Sequence, residues 1–183
     1  MDAWVWIVIV VAAVIVIVLV IAALVVQQRR RARSAHLRDT FGAEYDRVTG
    51  ADTGRPSREG EEELRRRELR RSQLDIRPLT TDQQQRYLAA WQEIQRTFVD
   101  VPDQSVAHAE TLVTQVMRDR GYPVADEFEN QAELISVDHP DLVSNYREAH
   151  RVYERSLDND ADTEELRSSF VYYRSLFNEL LAA

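Results

Sequence analysis

Four histidines, His36, His108, His139 and His150, are the only imidazoles in this chain of 183 residues. One of them, His139, directly follows Asp138 and precedes Pro140, and Tyr146 and His150 come soon after. A carboxylate that orients an imidazole is the minimum for general-base work. Asp138, His139 and His150 are therefore the candidate catalytic residues of a small hydrolase-like site, with Asp141 or Glu154 as a further acid. The competing reading is structural: Asp138 caps a helix, His139 lines a turn, and His150 packs in a core with a hydrogen bond. Composition favours that second reading. No two His stand four apart and HExxH is absent, so no helical metal motif exists. The chain has no Cys, which excludes disulfides, thiolate nucleophiles and Cys-based metal centres. Only five Gly are present, three of them at 50, 54 and 60, and none forms a phosphate-cradling loop. Nucleophile elbow and oxyanion signatures are absent too. The sequence assigns no cofactor and no metal, and it points away from an enzyme.

The elements that must hold these residues are helical. Leu37, Phe41, Tyr45 and Val48 recur at helical spacing, and the linker TGADTGRPS follows. Ser57 is a plausible N-cap for the next helix, in which Glu61, Glu62 and Glu63 each stand four residues before Arg65, Arg66 and Arg67. Its stripe of Leu64, Arg67, Arg71 and Leu74 is poor in apolar residues, so this helix reads as a solvated, charge-laced rod ended by Pro78. Thr80 or Thr81, each with Gln three residues on, opens the next helix. Tyr87, Trp91, Ile94 and Phe98, with Leu88, form its apolar stripe. Val106, Ala109, Leu112, Val113, Val116 and Met117 form another, stopped by Gly121 and Pro123. A shorter stretch over 125–136 offers Phe128, Ala132 and Ile135. Leu142, Val143, Tyr146, Ala149, His150 and Tyr153 face inward on the next helix. Thr163 is the expected N-cap of the last one, whose stripe is Leu166, Phe170, Tyr173, Phe177 and Leu180. No segment outside residues 4–26 alternates with period two, so the domain reads as all-α, an antiparallel helical bundle.

Trp4 to Val26 is an unbroken apolar run of 23 residues. As a helix it would extend roughly 34 Å, enough for a ~30 Å hydrocarbon core. Trp4 and Trp6 lie where amphipathic rings favour the headgroup level, and Arg29, Arg30, Arg31 and Arg33 follow the run at its other end. The run is too long, and its start too poor in Arg, for a cleaved signal. It contains no ionisable residue and no Gly, so it reads as an anchor and not a channel. The Arg cluster orients it with the N-terminus outside and residues 27–183 cytoplasmic, in the plasma membrane. All 23 basic residues are Arg, against 31 acids, a net of −8. That charge divides into +4 over residues 27–78 and −11 over residues 79–183. Interleaved Glu and the acidic remainder argue against nucleic acid as a partner. The bilayer, and a protein partner or a second copy, remain.

The stretches FGAEYDR (41–47), LDIRPLT (74–80), FVDVPDQ (98–104), MRDRGYPV (117–124), SVDHPDLVSNYREAH (136–150) and TEELR (163–167) resemble a family of small actinobacterial proteins with one N-terminal span. Its members are often labelled hypothetical, membrane or secreted proteins. The resemblance implies membership and a helical domain behind a span; it implies no activity, cofactor or catalytic residue. The sequence thus predicts three parts: a transmembrane anchor with basic flank (1–33), juxtamembrane helices and linker (34–78), and an acidic helical domain (79–183). The expected role is a membrane-anchored cytoplasmic interaction or scaffold module.

Overall fold

The apolar run and the Arg cluster lie on one helix, α1 (Ala3–Phe41), whose 39 residues extend roughly 58 Å. The computed structural model describes residues 3–124 and 127–182, apart from the side chains of residues 3, 5–15 and 30. Among the described residues no helix is long and apolar enough to cross a membrane. The predicted span falls partly on residues 5–15, and Trp6 and Arg30 too lie outside the described side chains. Every described side chain from Val16 to Val26 is exposed, Val16 at 58% and Leu19 at 63%.

All regular structure among the described residues is α-helical. After α1 come α2 (Ala43–Thr49), α3 (Arg58–Ser72), α4 (Thr81–Thr97), α5 (Pro102–Arg120), α6 (Phe128–Asp138), α7 (Val143–Leu157) and α8 (Thr163–Ala182). The helix expected to carry Leu37, Phe41, Tyr45 and Val48 is split: Gly42, at φ 51°, ends α1 and lets α2 start in a new direction. Residues with a Cβ rarely adopt that conformation. Gly121 closes α5 at φ 101°, and a Cβ there would stand 2.5 Å from the Asp75 carbonyl oxygen. Glycine is required by conformation and by space together. Thr80 forms the full capping box with Gln83. At α8 the cap is Asp162 and not Thr163. Its carboxylate accepts from the Glu164 and Glu165 amides, both at 2.9 Å, while Glu165 accepts from the Asp162 amide at 3.0 Å. A carboxylate beside the positive end of the helix wins over the hydroxyl one residue on.

The main core gathers Trp91, the whole predicted face of α5, Ala132 and Ile135 of α6, Val143, Tyr146 and Ala149 of α7, and the α8 stripe. Val152 joins them although the sequence pattern did not single it out, and Leu88 faces solvent where the pattern placed it on the stripe. Trp91 stacks between Phe170 and Phe177, with ring centroids 5.0 and 4.7 Å away. Cross-helix contacts set the directions. Tyr87 reaches Asp119 and Thr97 meets Ser105, so α4 and α5 are antiparallel. Gln84 reaches the Leu181 carbonyl, while Phe98 packs on Phe170, so α4 and α8 are antiparallel as well. It follows that α5 and α8, which pack together, run the same way. The bundle is antiparallel only in part.

A second, smaller core seals α1, α2 and α3 together: Leu37, Phe41, Tyr45 and Leu64, with Val48, Ala51 and Val137 of α6 against them. Here the expected solvated rod is corrected. The stripe of α3 faces inward, with Leu64 fully buried and Arg67 only 4% exposed. The helix also ends at Ser72, well before Pro78. An Arg at a core position is tolerated because its charge is met by carboxylates from three helices, as follows.

Candidate interaction site where the long helix meets the domain

Glu44 lies on α2 between Phe41 and Tyr45, so burying those rings carries its carboxylate inward; Glu44 is 3% exposed. An unpaired buried carboxylate would be costly. Three guanidiniums from three helices meet this one. Arg47 of α2 donates to both oxygens, at 2.6 and 2.7 Å. Arg67 of α3 donates at 2.8 Å, and Arg147 of α7 donates a bidentate pair at 3.0 and 3.1 Å. Burial pushes the carboxyl pKa up, but the hydrogen bonds and charges of Arg47 and Arg147 outweigh it and hold the group at about 2.

The cluster continues outward. Arg67 also donates to Glu133 of α6 at 3.0 Å and to Glu63, one turn back on its own helix, at 3.3 Å. Arg70 donates to the other Glu133 oxygen at 2.5 Å. Arg147 reaches Glu129 at 2.8 Å. Of the three i,i+4 pairs expected on α3, only Glu63 with Arg67 forms. Glu61 instead accepts from the Tyr45 hydroxyl at 2.9 Å, and Glu62 from Arg58 at 2.9 Å. This ionic clasp joins α2, α3, α6 and α7 across long sequence separations. It converts the segment 34–78 from a tether into a docked part of the domain. Its chemistry is positional: every oxygen of Glu44 is occupied by a donor, so it offers no base or nucleophile.

The three residues singled out for catalysis occupy different surroundings. Asp138 ends α6, and its Oδ2 accepts from Arg71 Nε and from the Tyr122 hydroxyl, each at 2.5 Å. It does not cap α7, whose start has no side-chain cap. Burial and the neighbouring Asp138 carboxylate push the Tyr122 hydroxyl pKa well up. His139 takes the turn after α6, its amide donating to the Ile135 carbonyl at 2.7 Å; burial lowers its pKa against the pull of Asp138. His150 stacks flat on Phe128, with centroids 3.6 Å apart. Its Nδ1 is buried with no hydrogen-bond partner, and its Nε2 lies 3.6 Å from Glu154. Burial lowers its pKa. Among the described residues no hydrogen bond joins Asp138 to either imidazole. His36 lies 3.3 Å from Glu68, and His108 is exposed on α5. No three His, Asp or Glu side chains among the described residues are grouped to share a metal ion.

The basic flank is solvent-facing: Arg29, Arg31 and Arg33 are exposed, as is Trp4 at the other end of the run. Sequence reading missed Glu44 and Arg147, the centre of the clasp. A signal was present in Arg67, a charge set on a helical stripe between Leu64 and Arg71, which calls for a buried counter-charge. Nothing in local sequence says that the counter-charge comes from residue 44. Comparison with protein-family models, with curated proteins and with solved structures finds no match for this chain.

Proposed function

We propose that the chain is a membrane-anchored helical interaction module. Residues 4–26 form its anchor in the plasma membrane, and residues 27–183 are held on the cytoplasmic side. The observation that carries this reading is the continuity of α1. Eleven consecutive exposed apolar residues, 16–26, share one helix with Leu37 and Phe41, which are sealed inside the domain. Leaving nine Val, Ile and Leu side chains in water costs on the order of 10 kcal/mol. A hydrocarbon layer removes that cost, and the Arg cluster that follows sets the orientation. The small core of Leu37, Phe41, Tyr45 and Leu64 then fixes the domain relative to the anchor, so a protein partner, or a second copy of the chain, docks at a defined distance from the bilayer.

The absence of Cys makes the test clean, because one introduced thiol is the only thiol. Asp2→Cys and Ser168→Cys are expressed separately in intact cells and treated with a membrane-impermeant maleimide. The expected result is labelling of position 2 in intact cells and of position 168 only after permeabilisation. Release of the chain from membranes by alkaline carbonate, or the reverse labelling pattern, refutes the anchor. A photo-crosslinking residue at Ser168 then separates self-association from a different partner by the mass of the adduct.

A further inference from the structure

Beside the small core, between α1, the 50–56 linker and α3, lies a cleft of about 470 Å³. Four guanidiniums line it, those of Arg33, Arg55, Arg58 and Arg65, against two carboxylates, Glu61 and Glu62. Both carboxylates are already engaged, Glu61 by the Tyr45 hydroxyl and Glu62 by Arg58. Arg33, Arg55 and Arg65 make no hydrogen bond or ion pair with any described residue. Elsewhere in this region the structure matches its Arg closely with acids: Arg47, Arg66, Arg67, Arg70 and Arg71 all have carboxylate partners. Three unmatched cations converging on one cleft form a receptor for an anion with several acceptor oxygens.

The cleft also faces the anchor. Arg33 shares it with Arg58 and Arg65, while His36, one turn further along α1, meets Glu68. Successive contacts therefore run α3 in the same direction as α1. The N-terminal turn of α3, with Arg58 and the neighbouring Arg55, points back toward the apolar run. Helical side chains lean toward their own N-terminus, so Arg33 leans the same way. Arg33 stands seven residues past Val26, ~10 Å along the helix, within reach of headgroups for a long, snorkelling side chain. The first amides of α3 add their partial positive charge to that end.

We infer that this cleft binds the phosphate of an anionic phospholipid headgroup, with Arg33, Arg55 and Arg65 as its ligands. The inference rests on the anchor reading above and specifies the lipid that the anchored domain holds. The distinction from a generic basic flank is spatial. Arg29 and Arg31 are as close to the bilayer in sequence but lie outside the cleft.

The full chain is reconstituted into vesicles of phosphatidylcholine alone or mixed equally with phosphatidylglycerol, then extracted in mild detergent. Retained phospholipid is counted by native mass spectrometry. The expected result is one phosphatidylglycerol retained per chain, with apparent affinity about tenfold or more weaker in R33Q/R55Q/R65Q and little changed in R29Q/R31Q. R55Q alone, at an exposed linker residue, gives a partial loss and guards against misfolding of the triple variant, which circular dichroism checks. Equal loss in both multiple variants, or equal retention of phosphatidylcholine, overturns the site. Displacement of the lipid by inorganic phosphate, which then binds alone in detergent, assigns the cleft to a soluble phosphate and overturns the lipid. A chain that fails to enter the vesicles refutes the anchor instead. One that enters but retains no phosphatidylglycerol refutes only the headgroup site.

Discussion

Replacing Glu44 by Gln keeps the shape of the side chain and removes the charge that three guanidiniums surround. Arg67 and Arg147 then lose a carboxylate in a place where Arg67 is almost wholly buried. The size of the effect follows from the acid itself. Its pKa falls from 4.5 to about 2 on folding, which at 1.36 kcal/mol per unit is ~3 kcal/mol. The rim of the clasp is open, since the Glu129 side chain is 52% exposed, and water there softens the loss. Arg67 also retains Glu63 and Glu133. The expected cost is therefore about 2–3 kcal/mol, at or below the usual range for breaking a buried pair. With a urea dependence of ~1–3 kcal/mol per molar, the midpoint drops by roughly 1–2 M. The assay is urea unfolding of the full chain in detergent micelles, with Trp4 and Trp6 changed to Phe. Fluorescence then reports only Trp91, stacked in the main core. The pH dependence gives a second, independent reading. A depressed pKa contributes stability that is complete above the unfolded value of 4.5 and is lost as pH falls toward about 2. The gap between wild type and E44Q must therefore close over that window. E44Q within ~0.5 kcal/mol of wild type at neutral pH, or a gap that acid leaves unchanged, refutes the clasp as a stabilising device.

Gly60→Ala inverts the usual helix rule. Alanine normally gains ~1 kcal/mol over glycine inside a helix, but a Cβ here would stand 2.6 Å from the Val48 carbonyl oxygen and 2.7 Å from the Thr49 Cα. Thermal unfolding should show a loss of about 1–3 kcal/mol, and any gain would contradict the packing of α2 on α3. Asp162→Ala should cost about 1 kcal/mol and Thr163→Ala much less; the opposite order would restore Thr163 as the cap. His150→Phe removes a buried imidazole whose pKa burial lowers. The wild type binds that proton more readily when unfolded, so its stability is complete above the ordinary imidazole value of 6.5 and falls with pH below it. The variant should gain on wild type as pH drops below 6.5, and parallel pH profiles in chemical unfolding would count against His150 folding as the neutral form.

Helix identity was legible wherever a stripe was apolar and a terminus carried local chemistry. The α5 face from Val106 to Met117, the α8 stripe from Leu166 to Leu180, the Thr80 box and the Gly121 stop all follow from spacing and caps. The segment 57–74 is less legible, because its inner face is ionic. Hydrophobic periodicity is blind to a core position filled by Arg67, whose partner Glu44 lies 23 residues away and whose second partner Glu133 lies 66 away. The direction of α5 relative to α8 was hidden for a similar reason: it depends on which helices meet and not on the pattern of either one. Asp138 shows how proximity in sequence misleads. Its neighbour His139 does not take its oxygen; Arg71 and Tyr122, distant in sequence, do.

The unbroken course of α1 has a mechanical consequence. Between Val26 and Leu37 no glycine, proline or non-helical residue interrupts the rod, and from Leu37 on the domain grips it through the buried side chains of Leu37 and Phe41. Such a joint transmits rotation. Phe41, the end of the rod, stands ~22 Å past Val26, so a tilt of ~20°, ordinary for a helix in lipid, would swing it through about 8 Å. On the proposed anchor reading, a change in the tilt of α1 would therefore turn the whole domain with it, as a lever does.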